Sequence, residues 1–227
     1  YVSEWYMLCF AYKWLGEKTT YAYSLPDFKK EYKKNKEDDS ALVKRLWHLF
    51  NEADIIIAHN GNSFDIKKTN ARFLTHGLPP PEPYKTIDTK LVAKRYFNFN
   101  SNKLDDLGQH LGLGKKMDTG GFELWKGCMS GVMTAWNKMV KYNKQDVILL
   151  EKVYEAMKPW MNNHPNIALL NGDKHACPNC GSDNIHKRGY SVTRVSTRQR
   201  YQCRDCGAWS QGEGVRIKGD IKQVQIR

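Results

Sequence analysis

Residues 54–65 read Asp54-Ile-Ile-Ile-Ala-His-Asn-Gly-Asn-Ser-Phe-Asp65, and this stretch decides the fold. Its isoleucine run predicts a short strand that is buried on both faces, in the middle of a sheet covered by helices. A helix is predicted from Asp65 to Thr75, where Gly77 and the prolines after it end the helix. A strand followed by a helix indicates an α/β or mixed α+β layer fold, with the Asp65 carboxylate at the junction.

A second group of chemistry-bearing residues, Tyr142-Asn-Lys-Gln-Asp146, lies in a helix predicted over about residues 134–157. Tyr142 and Asp146 are four residues apart, so they share one helix face. Divalent Mg²⁺ prefers carboxylate oxygens, and a phenol can hold a water molecule in line with phosphorus. Asp65, Tyr142 and Asp146 could therefore form a metal-dependent phosphodiesterase site. Taken alone, each acid has a simpler interpretation that holds for most Asp residues: Asp65 as a helix N-cap and Asp146 as a solvated helical acid.

The rest of the chain supplies further strands and helices around this centre. Residues 5–15 and 19–24 predict a β-hairpin, residues 29–39 a charged loop, and Ser40 the cap of a helix. Further predicted elements are a brief strand at 85–89 that leads into residues 91–97, a short helix at 104–111 and a glycine-rich loop at 111–121.

Composition limits the class of protein. The 227 residues are 41% hydrophobic and 12% aromatic, which favours a folded chain with a full core. No apolar run reaches the ~18 residues of a membrane span, and the start lacks the charge pattern of a secretory signal. We therefore expect no membrane partner and a reducing, cytoplasmic setting.

The positive charge is concentrated in the last quarter of the chain. The net charge is +12, with 25 basic and 20 acidic side chains in residues 1–173 and 11 against 4 in residues 174–227. We predict a main domain over 1–162, a linker over 163–174 and a small basic unit over 175–227. The concentrated positive charge indicates a polyanionic partner such as nucleic acid, although a solvated face that aids solubility gives the same count.

The basic unit contains two Cys-x-x-Cys pairs, Cys177-Pro-Asn-Cys180 and Cys203-Arg-Asp-Cys206. Gly181 and Gly207 follow these pairs and suit the tight turn that lets backbone N–H groups face the sulfurs. Four thiolates at this spacing predict a closed, tetrahedral structural Zn²⁺ site. Two adjacent disulfides or an iron centre are the alternatives.

Residues 185–202, between the cysteine pairs, alternate like a hairpin and place Tyr190 and Tyr201 among basic side chains. Cations with interleaved aromatics suit phosphate contact and base stacking. The segment resembles the zinc ribbons of transposase-type and other DNA-associated proteins through Cys-Pro-x-Cys-Gly-Ser and Arg-Tyr-x-Cys-x-x-Cys-Gly. A ribbon that only packs on the main domain or a protein partner is the alternative. The predicted substrate-binding cations are Lys187, Arg188, Arg194, Arg198 and Arg200.

The motifs of the main domain resemble a nuclease family. A strand with His-Asn-x-x-x-Phe-Asp at 59–65, followed about 80 residues later by a helical Tyr-x-x-x-Asp, is the pattern of the DEDD 3′–5′ exonucleases. Tyr142 at the penultimate place resembles the DEDDy branch. Residues 124–129 and 141–151 are also similar to predicted ribonuclease H-like exonucleases of phages and bacteria. The resemblance implies a ribonuclease H-like mixed sheet flanked by helices, in a bacterial or phage-infected cell.

The resemblance also implies roles for individual side chains. Asp146 would bind Mg²⁺ or Mn²⁺ directly, Asp65 would hold the metal pair partly through water, and Tyr142 would orient the attacking water. Asp88 resembles a supporting position of structural type, and His59 is expected to be a strand-end residue satisfied by hydrogen bonds. The residues that would line the cleft near the terminal nucleotide are Asn60, Asn62 and Phe64, with Phe64 equally a core residue.

One departure from the family pattern is large. The first family motif, Asp-x-Glu on the opening strand, is missing from these 227 residues, and Glu4 lacks an Asp two positions earlier. The predicted strand at 5–15 resembles the second strand of the family, so we expect the first to lie upstream of Tyr1. Without that acidic pair a two-metal displacement lacks its bridging carboxylate, and the alternative is a nuclease fold retained for binding.

The leading hypothesis is a metal-dependent 3′–5′ exonuclease that hydrolyses phosphodiester bonds of single-stranded DNA or DNA ends. It would use a two-metal Mg²⁺ or Mn²⁺ site, and a structural Zn²⁺ ribbon would help to hold the substrate. A structure-selective endonuclease on the same fold is one alternative. A catalytically defective nucleic-acid-binding module is the other.

Overall fold

The computed structural model describes residues 4–215 and residue 224. The first residues of the predicted 1–162 domain and most of the last residues of the predicted 175–227 unit lie outside this range. The chain forms two compact units, Tyr1–Met157 and Lys158–Arg227. Within the described residues, no helix has the length and apolar character needed to cross a membrane.

The first unit combines four strands with seven helices in its described part. Its strands are β1 Cys9–Tyr12, β2 Tyr21–Ser24, β3 Ile55–Ala58 and β4 Lys85–Asp88. Its helices are α1 Lys29–Lys34, α2 Ser40–Glu52, α3 Asp65–Thr75, α4 Thr89–Tyr96, α5 Leu104–His110, α6 Glu123–Met129 and α7 Met133–Met157, with a 3₁₀ turn at Leu25–Asp27.

The strands pair in two ways. β1 and β2 form an antiparallel hairpin, while β3 and β4 are parallel, with Ala58 opposite Asp88. Between residues 4 and 215 no ladder joins β1 to β3, so the predicted mixed sheet consists of two separate hydrogen-bonded pairs. Phe10 of β1 and Ile56 of β3 nevertheless pack against the same hydrophobic core, which places both pairs over one interior.

The helices cover this core with apolar stripes. Leu42, Val43, Leu46 and Phe50 are the buried residues of α2, at the helical spacing that the sequence predicts. Trp136 of α7 is 2% exposed and is one of the largest buried side chains among the described residues. α7 thus supplies both core residues and, further along, the predicted Tyr/Asp pair.

Two features of the first unit differ from the sequence-based expectations. Residues 29–34, expected as part of a charged loop, form α1, in which the Tyr32 ring meets the Trp136 ring edge-on at 6.2 Å. Ser40 does not cap α2, because the N-cap residue is Asp39 and no side chain caps the helix. The Asp39 carboxylate is instead committed to a buried charge network.

Asp39 holds together three segments of the first unit. Its fully buried carboxylate accepts hydrogen bonds from the Met7 N–H at 2.7 Å, from Arg72 Nε at 2.9 Å and from His76 Nε2 at 2.7 Å. Replacing Asp39 with alanine should lower the free energy of unfolding by ~3–5 kcal/mol, because the Arg72 guanidinium would be left buried without its partner. Urea unfolding followed by circular dichroism measures this change.

Glu37 provides the control for this substitution, since its side chain is exposed. Glu37→Ala should change the free energy of unfolding by no more than about 0.5 kcal/mol. Equal destabilisation by the two substitutions would contradict the structural role of the Asp39 network.

The second unit is a small three-stranded sheet preceded by short helical turns. It contains a 3₁₀ turn at Lys158–Trp160 and α8 at Ile167–Leu170, where the Asn166 side chain accepts a hydrogen bond from the Leu169 N–H. The strands are β5 Ile185–Val192, β6 Thr197–Cys203 and β7 Trp209–Val215, all antiparallel in the order β5-β6-β7. α8 lies within the stretch predicted as a linker, and β7 extends the predicted hairpin by one strand.

Candidate active site and cysteine cluster

The turn between β3 and α3 positions Asp65 at the first residue of α3. Asn60 has a left-handed backbone, with φ of 66°, and begins the turn. A Cβ added to Gly61 would lie 2.3 Å from the Cβ of Ala58 and 4.0 Å from Asp65 Oδ2. Glycine is therefore required for the turn to pass so close to the end of β3 and to the Asp65 carboxylate.

Asp88, at the end of β4, holds this turn in place. Its carboxylate accepts hydrogen bonds from the Asn60 N–H at 2.9 Å and the Asn62 N–H at 3.2 Å. It also caps α4, where it accepts from the N–H groups of Lys90 and Leu91. These four backbone hydrogen bonds support the interpretation of Asp88 as a supporting residue of structural type.

The other predicted residues of this turn have different environments. Phe64 is 56% exposed, so the alternative that it belongs to the core is wrong. The Asn60 side chain accepts a hydrogen bond from Lys90 Nζ at 3.2 Å, and Asn62 is half-buried. His59 bonds through Nδ1 to Thr89 Oγ1 at 2.9 Å and through Nε2 to the Asn102 carbonyl at 3.0 Å. Its expected role as a satisfied strand-end residue is confirmed.

Tyr142 and Asp146 share one face of α7 and both meet Lys116, which comes from the loop after α5. Lys116 Nζ lies 2.6 Å from Asp146 Oδ2 and 5.2 Å from the centre of the Tyr142 ring. Trp125 of α6 packs against Tyr142 at 6.3 Å between ring centres. The phenol is thus held between an indole and an ammonium group.

The charges of this cluster act on one another. Burial raises the pKa of Asp65, the charge of Asp88 raises it further, and the Lys116 ammonium opposes them. Burial also raises the pKa of Tyr142. For Lys116, burial disfavours the charge, but hydrogen bonds to Asp146 and Tyr142 outweigh it and raise the pKa. Lys116 therefore lies within electrostatic reach of Asp65, Tyr142 and Asp146 together.

The donor set suits a hard divalent cation. Asp146 Oδ1 is buried and, among the described residues, has no hydrogen-bond partner, an arrangement that costs free energy unless a cation or water binds there. Asp65, an exposed residue, adds a second carboxylate, and a bound cation would favour its charged form. Carboxylate oxygens are the ligands that Mg²⁺ and Mn²⁺ accept most readily.

Lys116 is the residue of this cluster that sequence reasoning missed. It lies in the glycine-rich loop predicted over 111–121, which forms no helix or strand. No spacing rule relates a lysine in such a loop to a helix that begins many residues later. The sequence signal there is the pair Lys115-Lys116 between two glycine-containing segments. Lysine pairs in loops are too common for this one to indicate an active-site residue.

The four predicted cysteine ligands come together in the second unit. Their sulfur atoms all lie within 4.8 Å of one another, with Cys177 Sγ 3.7 Å from Cys206 Sγ and Cys180 Sγ 3.7 Å from Cys203 Sγ. All four are free cysteines, so the structure forms neither of the two adjacent disulfides of the alternative. A tetrahedral zinc site with Zn–S bonds of about 2.3 Å separates its sulfurs by about 3.8 Å.

Backbone groups support this cluster. Although burial disfavours its thiolate, the N–H groups of Cys206 and Asp205 lower the pKa of Cys203 to about 7. Burial raises the pKa of Cys180 to about 11. Gly181 and Gly207 have φ of 76° and 80°, as the predicted turns after each pair require.

The sheet of the second unit exposes basic and aromatic side chains. Arg188 and Arg200 lie with their guanidinium carbons 5.9 Å and 5.5 Å from the ring centre of Trp209, which is 47% exposed. Tyr190 is also exposed. Trp209 was missed by sequence reasoning because β7 was not predicted. Of the other predicted cations, Lys187 is on β5, Arg198 is on β6 and Arg194 is in the turn between these strands.

Comparison with known proteins agrees with this architecture. Residues 9–158, about two thirds of the chain, match the model of the RNase H superfamily. A similar protein is the DNA polymerase III PolC-type of Ureaplasma parvum serovar 3 (strain ATCC 700970), which is 32% identical over 83 residues. That match covers 36% of this chain and only 6% of the polymerase. On the family match, which includes both Asp-bearing motifs, the chain belongs to the RNase H superfamily.

Proposed function

We propose that the protein is a metal-dependent 3′–5′ exonuclease that acts on single-stranded DNA or DNA ends. Membership of the RNase H superfamily points to a hydrolase that cleaves nucleic acid. The observation that supports the finer proposal is the contact of Lys116 with both Asp146 and Tyr142, together with a buried oxygen of Asp146 that has no hydrogen-bond partner among the described residues. The Lys116 charge also acts on Asp65, the third residue of the proposed site.

In this proposal Asp146 and Asp65 would hold the catalytic Mg²⁺ or Mn²⁺, which would lower the pKa of a water molecule and offset charge on the phosphate. The Tyr142 phenol, fixed between Trp125 and Lys116, orients the water for attack on phosphorus. Phe64 is exposed beside Asp65 and offers a surface for the terminal base, while Asn60 and Asn62 shape the wall of the cleft.

The second unit is proposed to be a zinc ribbon that holds the substrate strand. Support for zinc comes from the four thiolates and their sulfur separations, which match a tetrahedral shell. Support for nucleic acid comes from the cations and the exposed Trp209, because bases stack on indole rings and arginines contact phosphates. The proposed phosphate contacts are Lys187, Arg188, Arg194, Arg198 and Arg200.

A pair of substrates tests the exonuclease proposal. A 5′-labelled linear single strand and a closed circle of the same sequence are incubated with the full chain in Mg²⁺ or Mn²⁺. We expect the linear strand to shorten stepwise from its 3′ end and the circle to remain intact, because the circle offers no terminus.

Other outcomes of this experiment reject the proposal and identify its replacement. Cleavage of the circle would make the protein an endonuclease. Salt-dependent binding of the linear strand without cleavage in either metal would make it a binding module on a nuclease fold.

A further inference from the structure

The Lys116 ammonium lies against Asp146, one of the carboxylates proposed to bind the metal. It pairs with Asp146 Oδ2 at 2.6 Å and acts electrostatically on Asp65, the two carboxylates assigned to the metal. The paired side chains are 30% and 21% exposed, so the contact is partly shielded from water. Lys116 thus forms an ion pair with one of the carboxylates that would attract a divalent cation.

The loop that carries Lys116 is attached to the neighbouring helices by its backbone. The Lys116 N–H donates to Asp105 Oδ1 of α5 at 2.6 Å, and the Lys115 carbonyl accepts from Gln145 Nε2 of α7 at 3.3 Å. A Cβ on Gly108 of α5 would lie 2.7 Å from the Gly114 carbonyl oxygen, so the loop passes directly over the helix. The backbone of Lys116 is therefore fixed, while its long side chain can rotate about that anchor.

We propose that Lys116 is a phosphate-binding residue that rests on Asp146 until a divalent cation takes its place there. The ammonium and the metal are alternative partners of one carboxylate, in which Lys116 contacts Oδ2 while the buried Oδ1 has no hydrogen-bond partner among the described residues. Once released from Asp146, the side chain remains beside the Tyr142 ring and contacts a non-bridging oxygen of the scissile phosphate. This inference rests on the proposed nuclease function, since it assumes that phosphate reaches this cluster.

Replacing Lys116 with methionine should change the affinities for Mn²⁺ and for single-stranded DNA in opposite directions. Lys116→Met removes the ammonium and keeps the length of the side chain. It should strengthen Mn²⁺ binding by about tenfold, because the metal no longer competes with a charge-assisted hydrogen bond. It should also weaken the binding of a single-stranded oligonucleotide in Ca²⁺, again by about tenfold, because a phosphate contact is lost.

Titration of Mn²⁺ into the zinc-loaded full chain, without nucleic acid, measures the first effect, and Asp146→Asn identifies the site that is being titrated. Fluorescence anisotropy of a labelled oligonucleotide measures the second. Lys115→Met is the matched control, because Lys115 is the exposed neighbour in the same loop and should leave Mn²⁺ affinity unchanged. Lys116→Arg should restore both affinities towards those of the unmodified protein.

The two measurements overturn the inference separately from the nuclease proposal. Unchanged or weaker Mn²⁺ binding by Lys116→Met would show that Lys116 does not compete for Asp146. Tighter Mn²⁺ binding with unchanged oligonucleotide affinity would reject the phosphate contact. Because neither measurement requires turnover, failure of the unmodified protein to cleave DNA would count against the nuclease proposal alone.

Discussion

Replacing Asp146 with asparagine is expected to lower the rate of nucleotide release from a 3′ end by about two orders of magnitude or more. The proposed metal supplies several kcal/mol of transition-state stabilisation, and each ~1.4 kcal/mol that is lost slows the reaction about tenfold. Asparagine keeps the size of the side chain but cannot provide a charged oxygen to the cation. Single-turnover cleavage of a labelled strand in excess protein isolates this effect on chemistry from product release.

The fold should tolerate the Asp146→Asn substitution, since only one partly exposed ion pair, with Lys116, is lost. Asp54→Asn is the matched control, because this exposed acid lies just before β3 and takes part in none of the proposed chemistry. The control should retain full activity. Undiminished cleavage by Asp146→Asn would reject the proposed active site.

Removal of the metal from the cysteine cluster is expected to unfold the ribbon. Its core contains few residues besides the cysteines, chiefly Ala208 and Ile185. Zinc binding contributes ~10–16 kcal/mol to the folding of small thiolate domains, so its loss leaves little to stabilise β5, β6 and β7. Mass spectrometry of the native protein should find about one zinc per chain, and hydrogen exchange should show protection of the three strands that a strong chelator abolishes.

Substitution of single cysteines separates metal binding from general cysteine chemistry. Cys203→Ser should release the zinc and expose the ribbon amides to exchange. Cys9→Ser is the control, because Cys9 lies in β1 of the other unit and outside the sulfur cluster, so zinc content should not change. A ribbon that keeps its protected amides without metal would contradict the proposed role of zinc.

The elements with strong periodicity could be predicted from the sequence. The isoleucine run before Asp65 predicts β3, and the apolar spacing after Ser40 predicts α2, because burial of one helix face follows directly from the order of residues. α1 could not be predicted in this way. Its residues are mostly charged and none is buried, so its contact with the rest of the unit depends on the non-local packing of Tyr32 against Trp136.

β7 could not be predicted from the sequence for a different reason. Gly212 and Gly214 interrupt its alternation, and glycine has low strand propensity. The structure explains Gly212, since a Cβ there would lie 3.1 Å from Tyr201 of the neighbouring strand. A larger residue there would have to displace the Tyr201 ring slightly, and this constraint from a partner strand is one that local propensity does not consider.

The candidate site shows the same division between local and distant information. The shared helix face of Tyr142 and Asp146 follows from their spacing alone. The approach of Lys116 depends on Gly108, on the loop hydrogen bonds and on the position of α7, none of which the local sequence specifies. Spacing within one element is thus readable from sequence, whereas the pairing of a loop with a distant helix requires the fold.

The way Asp88 uses its oxygens affects how mutational surveys of this protein should be interpreted. The Asp88 carboxylate fixes both the turn that leads to Asp65 and the beginning of α4. Its removal would therefore displace Asp65, although no hydrogen bond joins the two side chains. A screen scored only by lost turnover would group Asp88 with the proposed metal ligands. Ranking variants by cation affinity and by unfolding temperature together would assign this acid to the scaffold.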